Sequence, residues 1–335
     1  MKQRIFVLAV AALIGMAASV PASAQVRLLF ASQSNPNSTV GQFFGAWAKR
    51  VTDASQGTGV IEIREGGTLA NFQNVYERVL DDVVQIGFGQ QALIAGKFPL
   101  TEVVVLPFIV KDNTVGSVAL WRLYKTGLLD NEYDQVVPIW MNLLGPSYLH
   151  FNKVPPALND LSGLKIRVTG KVNSEMVKRL GGAPVSLPAE NMYDGLQRGS
   201  IDGLITSWSA FAPYHLAEVS SYHILAPLGV APAMFFMSKK KYESLPPQLR
   251  AALDANGGEA QSRFSGEAWR QDGLSMQATL AASGKHTIKD LPPEQTAVWE
   301  ARTEPLIKEW AAGVPGGEKV LATYRQLYAD VEAGR

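Results

Sequence analysis

A single arginine stands inside an apolar strand pattern near the middle of the chain. Arg167 belongs to the run Leu-Lys-Ile-Arg-Val at positions 164–168. A guanidinium buried in such a run needs an anion, because an unpaired buried charge is strongly destabilising. The anion could be a carboxylate of the protein, for example Asp160 or Asp202, or it could come from a bound ligand. The spacing of these residues leaves both interpretations open.

Trp208 follows a second strand pattern, which ends at residues 204–205. Open α/β sheets bind ligands beyond the carboxyl ends of their strands, so this indole could form the wall of a pocket. It could also be an ordinary core residue. Gly87 and Gly89 follow another strand, but no acidic residue ends a strand about 20 residues later, as a dinucleotide site requires. We therefore predict a tight turn there.

Other patterns exclude several classes of chemistry. The chain has no cysteine, so neither thiolate catalysis nor a disulfide is available. Its four histidines form no His-Glu-x-x-His pattern, and no Gly-x-Ser-x-Gly elbow occurs. The formal net charge of +1 argues against nucleic acid or an anionic membrane as the main partner. We predict no cofactor and no metal.

The first 24 residues are typical of a secretory signal peptide. Lys2 and Arg4 precede an apolar run, and Ala22-Ser23-Ala24 supplies small residues at the cleavage positions. The apolar run is shorter than the about 20 residues that a membrane span needs. We expect cleavage after Ala24 and export to the periplasm without stable membrane insertion.

Strand and helix patterns then alternate along the chain. Strands are predicted near residues 26–30, 60–63 and 83–88, with helices at 40–51 and 71–80 between them. The same rhythm returns after residue 139, and a long amphipathic helix is predicted over 248–282, weakened at Gly257 and Gly258. Such alternation favours mostly parallel sheets covered by helices. Because no linker separates the two α/β units, we expect the chain to cross between them more than once.

Several segments together resemble a known family. They are 161–168, 182–190 (Gly-Ala-Pro-Val-Ser-Leu-Pro-Ala-Glu), 193–203, 106–108 and 245–250. In this order they are similar to the extracytoplasmic solute-binding proteins of TRAP transporters, of the dicarboxylate-binding DctP type. The resemblance implies an α/β, periplasmic-binding-protein-like fold whose two domains are joined by crossing strands and a long hinge-spanning helix. A ligand cleft would lie between the domains, which we place at residues 25–144 plus 232–271 and 145–231 plus 272–335.

The resemblance also implies a function. Arg167 would hold the ligand carboxylate in a bidentate pair, which suits guanidinium geometry. Other implied ligand-binding positions are Gln33, Asn71, Phe72, Gln90, Ser147, Tyr148, Thr206 and Trp208. Sugar-acid binders of the family usually carry an asparagine where this chain has Thr206, and often a second basic residue where it has Ser147 and Tyr148. The chain therefore favours a small monocarboxylate, either a 2-oxo or 2-hydroxy acid or an aromatic acid.

The predicted role is that of a receptor, not an enzyme, which delivers this acid to the TRAP permease subunits in the membrane. Two alternatives remain at this point. One is a receptor for another carboxylate or amino-acid uptake system. The other is a secreted α/β enzyme, which would convert its bound acid and not merely hold it.

Overall fold

The structure, a computed structural model, describes residues 25–94, 96–157 and 160–335. The predicted signal peptide lies outside these residues. The strands are β1 (Val26–Ala31), β2 (Gly59–Arg64), β3 (Ile86–Gln90), β4 (Val136–Pro146), β5 (Tyr148–Phe151), β6 (Lys165–Val168), β7 (Ala183–Ser186), β8 (Gly203–Thr206), β9 (Tyr222–Leu225), β10 (Val230–Ser238) and β11 (Thr287–Asp290). The α-helices are α1 (Thr39–Ala54), α2 (Val75–Leu80), α3 (Asn113–Lys125), α4 (Gly170–Arg179), α5 (Met192–Gln197), α6 (Lys239–Glu243), α7 (Pro247–Ala255), α8 (Gly258–Ala282), α9 (Pro293–Gly313) and α10 (Gly317–Glu332).

The strands form two mixed sheets. The first has the order β2-β1-β3-β10-β4, and the second has the order β11-β9-β5-β8-β6-β7. In the first sheet β1 is parallel to β2 and β3, while β10 is antiparallel to β3 and β4. In the second sheet β6 is parallel to β7 and β8, while β5 is antiparallel to β8 and β9. The carboxyl ends of the parallel strands therefore meet at one edge of each sheet.

Within the described residues, the chain passes from the strands of one sheet to those of the other three times, as the missing linker predicts. It leaves the first sheet after β4, returns through β10 and leaves again along α8 to reach β11. Gly229 lies at the return crossing with φ +88°, and a Cβ there would stand 2.1 Å from the Val105 carbonyl oxygen. Only glycine fits this close approach without displacing backbone.

Two predicted helices differ from those observed. The helix expected over 71–80 is shorter, because residues 71–74 form a turn in which the Asn71 Oδ1 accepts the backbone N–H groups of Gln73 and Asn74. The long helix expected over 248–282 is two helices, α7 and α8, which are separated at Gly257. The backbone of Gly258 has a φ of +70°, and this left-handed conformation interrupts the α-helix.

The second sheet is covered on both faces. Ile166 and Val168 face a core that includes residues of α4 and α9. Leu204, on the opposite face, packs in a separate cluster with Trp208, Phe211 and Leu280 of α8. The face that carries Leu204 is thus covered by the carboxyl half of α8 and by the segment after β8.

The last helix returns to the first half of the molecule. The Tyr328 hydroxyl of α10 accepts the backbone N–H groups of Lys111 and Asp112 at 3.1 and 2.8 Å, and Tyr324 donates to the Gly116 carbonyl at 3.3 Å. α10 therefore packs on α3, although the predicted domain limits place the two helices in different domains. Those domain limits stay a prediction. None of the described helices combines the length and the apolarity that crossing a bilayer takes.

Candidate functional site

Arg167 is buried in the second sheet without a carboxylate partner among the described residues. Arg167 lies on β6, which is paired with β7 on one side and β8 on the other, and the residue is 6% exposed. The Nε–H donates to the Leu187 carbonyl at 2.9 Å, and no described carboxylate forms an ion pair with the guanidinium. Burial lowers the pKa of Arg167 to about 10, against smaller opposing effects of Tyr214 and Glu190. The group remains charged at neutral pH.

The two carboxylates considered as internal partners are engaged elsewhere. The Asp160 Oδ1 accepts hydrogen bonds from the backbone and hydroxyl of Ser162 and lies 3.8 Å from an Arg302 nitrogen. The Asp202 Oδ2 accepts the backbone N–H of Lys165 at 2.8 Å. An internal ion pair of Arg167 with either residue is therefore not formed.

Strand register puts Arg167 on the same sheet face as two other predicted residues. Arg167 is opposite Leu204, Leu204 is opposite His150, and Thr206 is opposite Tyr148. Register partners point to one side of a sheet, and so do residues two apart on a strand. Arg167, Thr206 and Tyr148 therefore share the face that the segment after β8 covers.

Trp208 belongs both to the core and to a cavity wall. It is 3% exposed, and its ring contacts Tyr148 and His150 with centroid separations of 6.2 and 4.7 Å. It also lines the cavity described below. Trp208 therefore packs in a core cluster and also lines a cavity, and its role as the wall of a ligand pocket stays a prediction.

The remaining predicted residues divide between the two sheets. Gln33 follows β1 and donates through Nε2 to the Ala70 carbonyl at 3.2 Å, and Gln90 ends β3 opposite Ala233. Phe72 packs edge-on against Phe88 at 5.5 Å. These side chains lie at the carboxyl edge of the first sheet.

Asn71 and Ser147 have structural contacts of their own. Asn71 is exposed, and its carboxamide oxygen holds the turn before α2. Ser147 is 8% exposed and lies at the crossing from β4 to β5, where its N–H donates to the Gly229 carbonyl at 3.0 Å. Their positions are near the sheet edges, but these contacts alone account for both residues.

A cavity of about 180 Å³ lies beside Tyr148 and Trp208. Its lining residues are Lys111, Asp112, Asn113, Gly145, Pro146, Tyr148, Trp208, Trp269, Arg270, Gly273, Leu274 and Gln277. Arg167 does not line it, so the cavity and the guanidinium are separate features. Of the predicted residues, only Tyr148 and Trp208 line the cavity.

Sequence reasoning missed the contribution of α8 and of the loop before α3. Trp269 and Gly273 are four residues apart on one face of α8, and a Cβ on Gly273 would lie 3.8 Å from the Trp208 Cβ. An aromatic residue followed by a glycine at this spacing was the available signal. It could not identify Trp208 as the neighbour, because the two segments are about 60 residues apart in sequence.

Two cations line the cavity, and one of them is already neutralised. Arg270 forms a bidentate pair with Glu267, with Nε–Oε2 and Nη2–Oε1 distances of 2.9 and 2.8 Å. The hydrogen bonds from Arg270 are the main cause that lowers the pKa of Glu267 to about 2. Lys111 is the second cation of the lining. Arg270 therefore differs from Arg167, whose guanidinium has no such partner.

Comparison with known proteins decides the family. Residues 30–313 match the family model of DctP, bacterial extracellular solute-binding protein family 7. The chain belongs to this family. Members are solute receptors of transport systems, so the predicted family, receptor role and two-domain α/β fold are confirmed.

Three proteins similar to this family 7 protein are named with different ligands. A TRAP solute-binding protein from Rhodoferax ferrireducens T118, in complex with copurified benzoate, is 26% identical with a TM-score of 0.85, covering 93% of this chain and 100% of that one. A marine-metagenome TRAP solute-binding protein specific for aromatic acid ligands, in complex with 3-hydroxybenzoate, is 26% identical with a TM-score of 0.85, covering 92% and 99%. The C4-dicarboxylate-binding periplasmic protein DctP of Rhodobacter capsulatus is 25% identical over 231 residues, 66% of each chain.

Proposed function

We propose that this family 7 protein is a periplasmic receptor that binds a small aromatic monocarboxylate through Arg167 and delivers it to a TRAP permease. The observation that carries the proposal is the buried guanidinium of Arg167, which has no carboxylate partner among the described residues. A buried cation without an anion is strongly unfavourable, and a ligand carboxylate would relieve that cost. Each charge-assisted hydrogen bond would contribute about 1.5–3 kcal/mol.

The apolar surroundings favour an aromatic body for the acid. Trp208 and Phe72 offer ring faces or edges near the edges of the two sheets, and apolar walls with a few polar groups are typical of small-ligand sites. Two similar structures hold benzoate and 3-hydroxybenzoate. Thr206 could bond an additional oxygen of the ligand, which keeps a 2-oxo or 2-hydroxy acid within the proposed class.

The Rhodobacter capsulatus relative is named for C4-dicarboxylates, so a dicarboxylate is the competing ligand. A second carboxylate would need a second available cation. Arg270 is held by Glu267 through two hydrogen bonds, and displacing that pair would offset much of the gain. Lys111 is still present as a second cation of the cavity lining, so the monocarboxylate is favoured mainly by the two similar structures that hold benzoate and 3-hydroxybenzoate.

The receptor would release its ligand chemically unchanged. The ligand would stabilise a closed arrangement of the two domains, and the permease would recognise that form. The crossings after β4, before β10 and along α8 would act as the hinge. Incubation of the protein with benzoate, followed by NMR of the small molecule, is expected to show binding without turnover; a new product would favour the enzyme alternative.

The proposal is tested by replacing Arg167 and measuring benzoate affinity by calorimetry. Arg167→Lys keeps the charge but loses the bidentate geometry, so affinity should fall roughly tenfold to a hundredfold. Arg167→Met should abolish measurable binding. Arg198→Met is the matched control, because the side chain of Arg198 is 77% exposed and 3.9 Å from Asp194. Wild-type affinity in both Arg167 variants would refute the clamp, and tight succinate binding without benzoate binding would refute the ligand class.

A further inference from the structure

Three of the four histidines form a single hydrogen-bonded chain through the second sheet. The Nδ1 atoms of His150 and His223 are 2.9 Å apart, and the His223 Nε2 is 3.0 Å from the His286 Nδ1. His150 and His223 are register partners on β5 and β9, and His286 immediately precedes β11. His150 and His223 are completely buried, while His286 is partly exposed. The chain thus leads from the interior to the surface.

The carbonyl of Thr206 determines where the protons lie. The His150 Nε2 is 3.1 Å from this oxygen, which can only accept, so Nε2 carries the hydrogen. In a neutral ring the His150 Nδ1 then accepts a hydrogen from the His223 Nδ1. The His223 Nε2 accepts in turn from the His286 Nδ1, and the His286 Nε2 is left unprotonated. One carbonyl therefore fixes the tautomers of all three rings.

The surroundings favour the neutral form of the histidine rings in this hydrogen-bonded chain. The rings of Trp208 and Phe211 pack against both buried histidines, and the titratable group acting on His150 is His223. Burial lowers the pKa of His150 well below its usual value and lowers that of His223 to about 3. The charge of His286 further lowers the pKa of His223, and the charge of Lys285 lowers the pKa of His286.

The buried end of the chain contacts two residues of the proposed ligand site. His150 bonds the backbone of Thr206, and the Trp208 ring lies edge-on to His150 and His223 at 4.7 and 4.9 Å. A rotation of either imidazole would move the indole that it supports. The orientation of the rings is in turn fixed by their hydrogen bonds, since a ring turned away would leave buried nitrogen atoms unpaired.

We infer that His150 and His223 are positioning residues for ligand binding: their ordered hydrogen-bond chain holds Thr206 and Trp208 in the geometry that receives the acid. The inference rests on the proposed function for its ligand, but the order of protons along the chain does not depend on any ligand. It follows that these two buried rings make no contribution to any change of benzoate affinity between pH 8 and pH 6, because neither takes up a proton there.

The first test is ¹⁵N NMR of the histidine rings in the ligand-free full chain. His150 should be protonated at Nε2 and His223 at Nδ1, and both patterns should persist from pH 8 to pH 6. Titration of either buried ring in this interval, or the opposite tautomer at His150, would overturn the inference. This measurement is independent of whether benzoate is a ligand.

The second test measures benzoate affinity in two variants of His150. His150→Phe keeps a ring but loses the bond to Thr206, so affinity should fall about threefold to tenfold. His150→Gln keeps an N–H donor near the position of Nε2 and should restore most of the loss, which a purely space-filling role would not predict. His215→Asn is the control, because His215 has a 71% exposed side chain and a left-handed backbone that asparagine accepts. Equal affinity in His150→Phe and the wild type would contradict the inference.

A third measurement tests the positioning role even if benzoate is not a ligand. If the wild-type protein does not bind benzoate, the indole N–H signal of Trp208, assigned with Trp208→Phe, becomes the readout. It should shift in His150→Phe and return towards its wild-type position in His150→Gln. An indole signal that is unchanged in both variants would refute the positioning role.

Discussion

At the scale of single residues, the contrast between two arginines explains most of the proposed chemistry. Arg270 is exposed enough to be solvated and is neutralised by Glu267 in the same helix. Arg167 is buried, donates only to a backbone carbonyl among the described residues and has its pKa lowered to about 10 by burial. Under the proposed function, this unfavourable charge is retained because the ligand carboxylate would pair with it. The proposal therefore implies that stability and ligand binding make opposite demands at position 167.

This contrast predicts that Arg167→Met stabilises the ligand-free protein. The uncompensated charge disappears while the buried volume is largely kept, so the free energy of unfolding should rise by about 1–3 kcal/mol. Urea denaturation of the wild type and the variant measures this change. Arg270→Met should show no such gain, because its charge is paired. A loss of stability in Arg167→Met larger than in Arg270→Met would contradict the prediction.

At the scale of elements, α8 links the two sheets through close contacts at small residues. Gly266 packs against the start of α3, and its carbonyl accepts a hydrogen bond from the Asn113 Nδ2 at 2.9 Å. Gly273 faces Trp208 further along the same helix. The two glycines differ in the space around them, although both are in the interior of one helix. α8 thus packs closely on α3 at Gly266, whereas at Gly273 there is more space between the helix and Trp208.

The same substitution should therefore have opposite effects at these two glycines. A Cβ at Gly273 would have its nearest contact at 3.8 Å, so Gly273→Ala should stabilise the protein by up to about 1 kcal/mol through helix propensity. A Cβ at Gly266 would stand 2.6 Å from the Ser117 Oγ and 3.0 Å from the Thr114 Cα, so Gly266→Ala should destabilise by about 1–3 kcal/mol. Urea unfolding of both variants gives the comparison, and changes of the same sign would show that α8 is displaced more easily than its contacts indicate.

At the scale of the whole molecule, the histidine chain makes stability depend on pH. The pKa of His150 and of His223 is lower in the folded protein than the usual value near 6.5, to about 3 for His223. Below about pH 6.5 the unfolded chain binds more protons, so these two residues make the folded protein less stable as the pH falls. Burial also raises the pKa of Glu102, Glu132 and Asp272, which acts in the opposite direction.

Comparing the wild type with His223→Phe isolates the contribution of His223 to the pH dependence of stability. Between pH 7 and pH 5.5 the wild type should lose more unfolding free energy than His223→Phe, by about 1–2 kcal/mol. Urea denaturation at the two pH values measures both changes, and the carboxylates contribute equally to each. Parallel losses in the two proteins would mean that His223 is not held neutral by the fold.

The arrangement of the two sheets also predicts a change of shape on binding. Benzoate at a hundredfold excess over its dissociation constant should stabilise the wild type by about 2.7 kcal/mol. Closure should lower the radius of gyration measured by small-angle X-ray scattering. Arg167→Met, with benzoate at the same concentration, should show neither effect. Stabilisation of the wild type without compaction would indicate binding to a molecule that does not close.

Much of the fold could be predicted from the sequence because its signals are local. Apolar runs such as 26–30 and 83–88 identify strands, and both occur in the first sheet. The family segments supply the two-domain arrangement. The helix over 71–80 was predicted too long, because the side chain of Asn71 satisfies the turn that precedes α2 and so competes with helix formation.

The candidate site was less predictable, because it is made of distant segments. The sequence by itself identified Arg167 as a charge in need of an anion and Trp208 as a residue beyond a strand end. The tertiary structure decided that Asp160 and Asp202 are engaged elsewhere, that α8 and the loop before α3 line the cavity, and that three histidines align. Strand and helix patterns report neighbours a few positions apart, whereas the contacts among the histidines and between α8 and Trp208 join residues about 60 or more positions apart, which only sheet pairing and helix packing bring together.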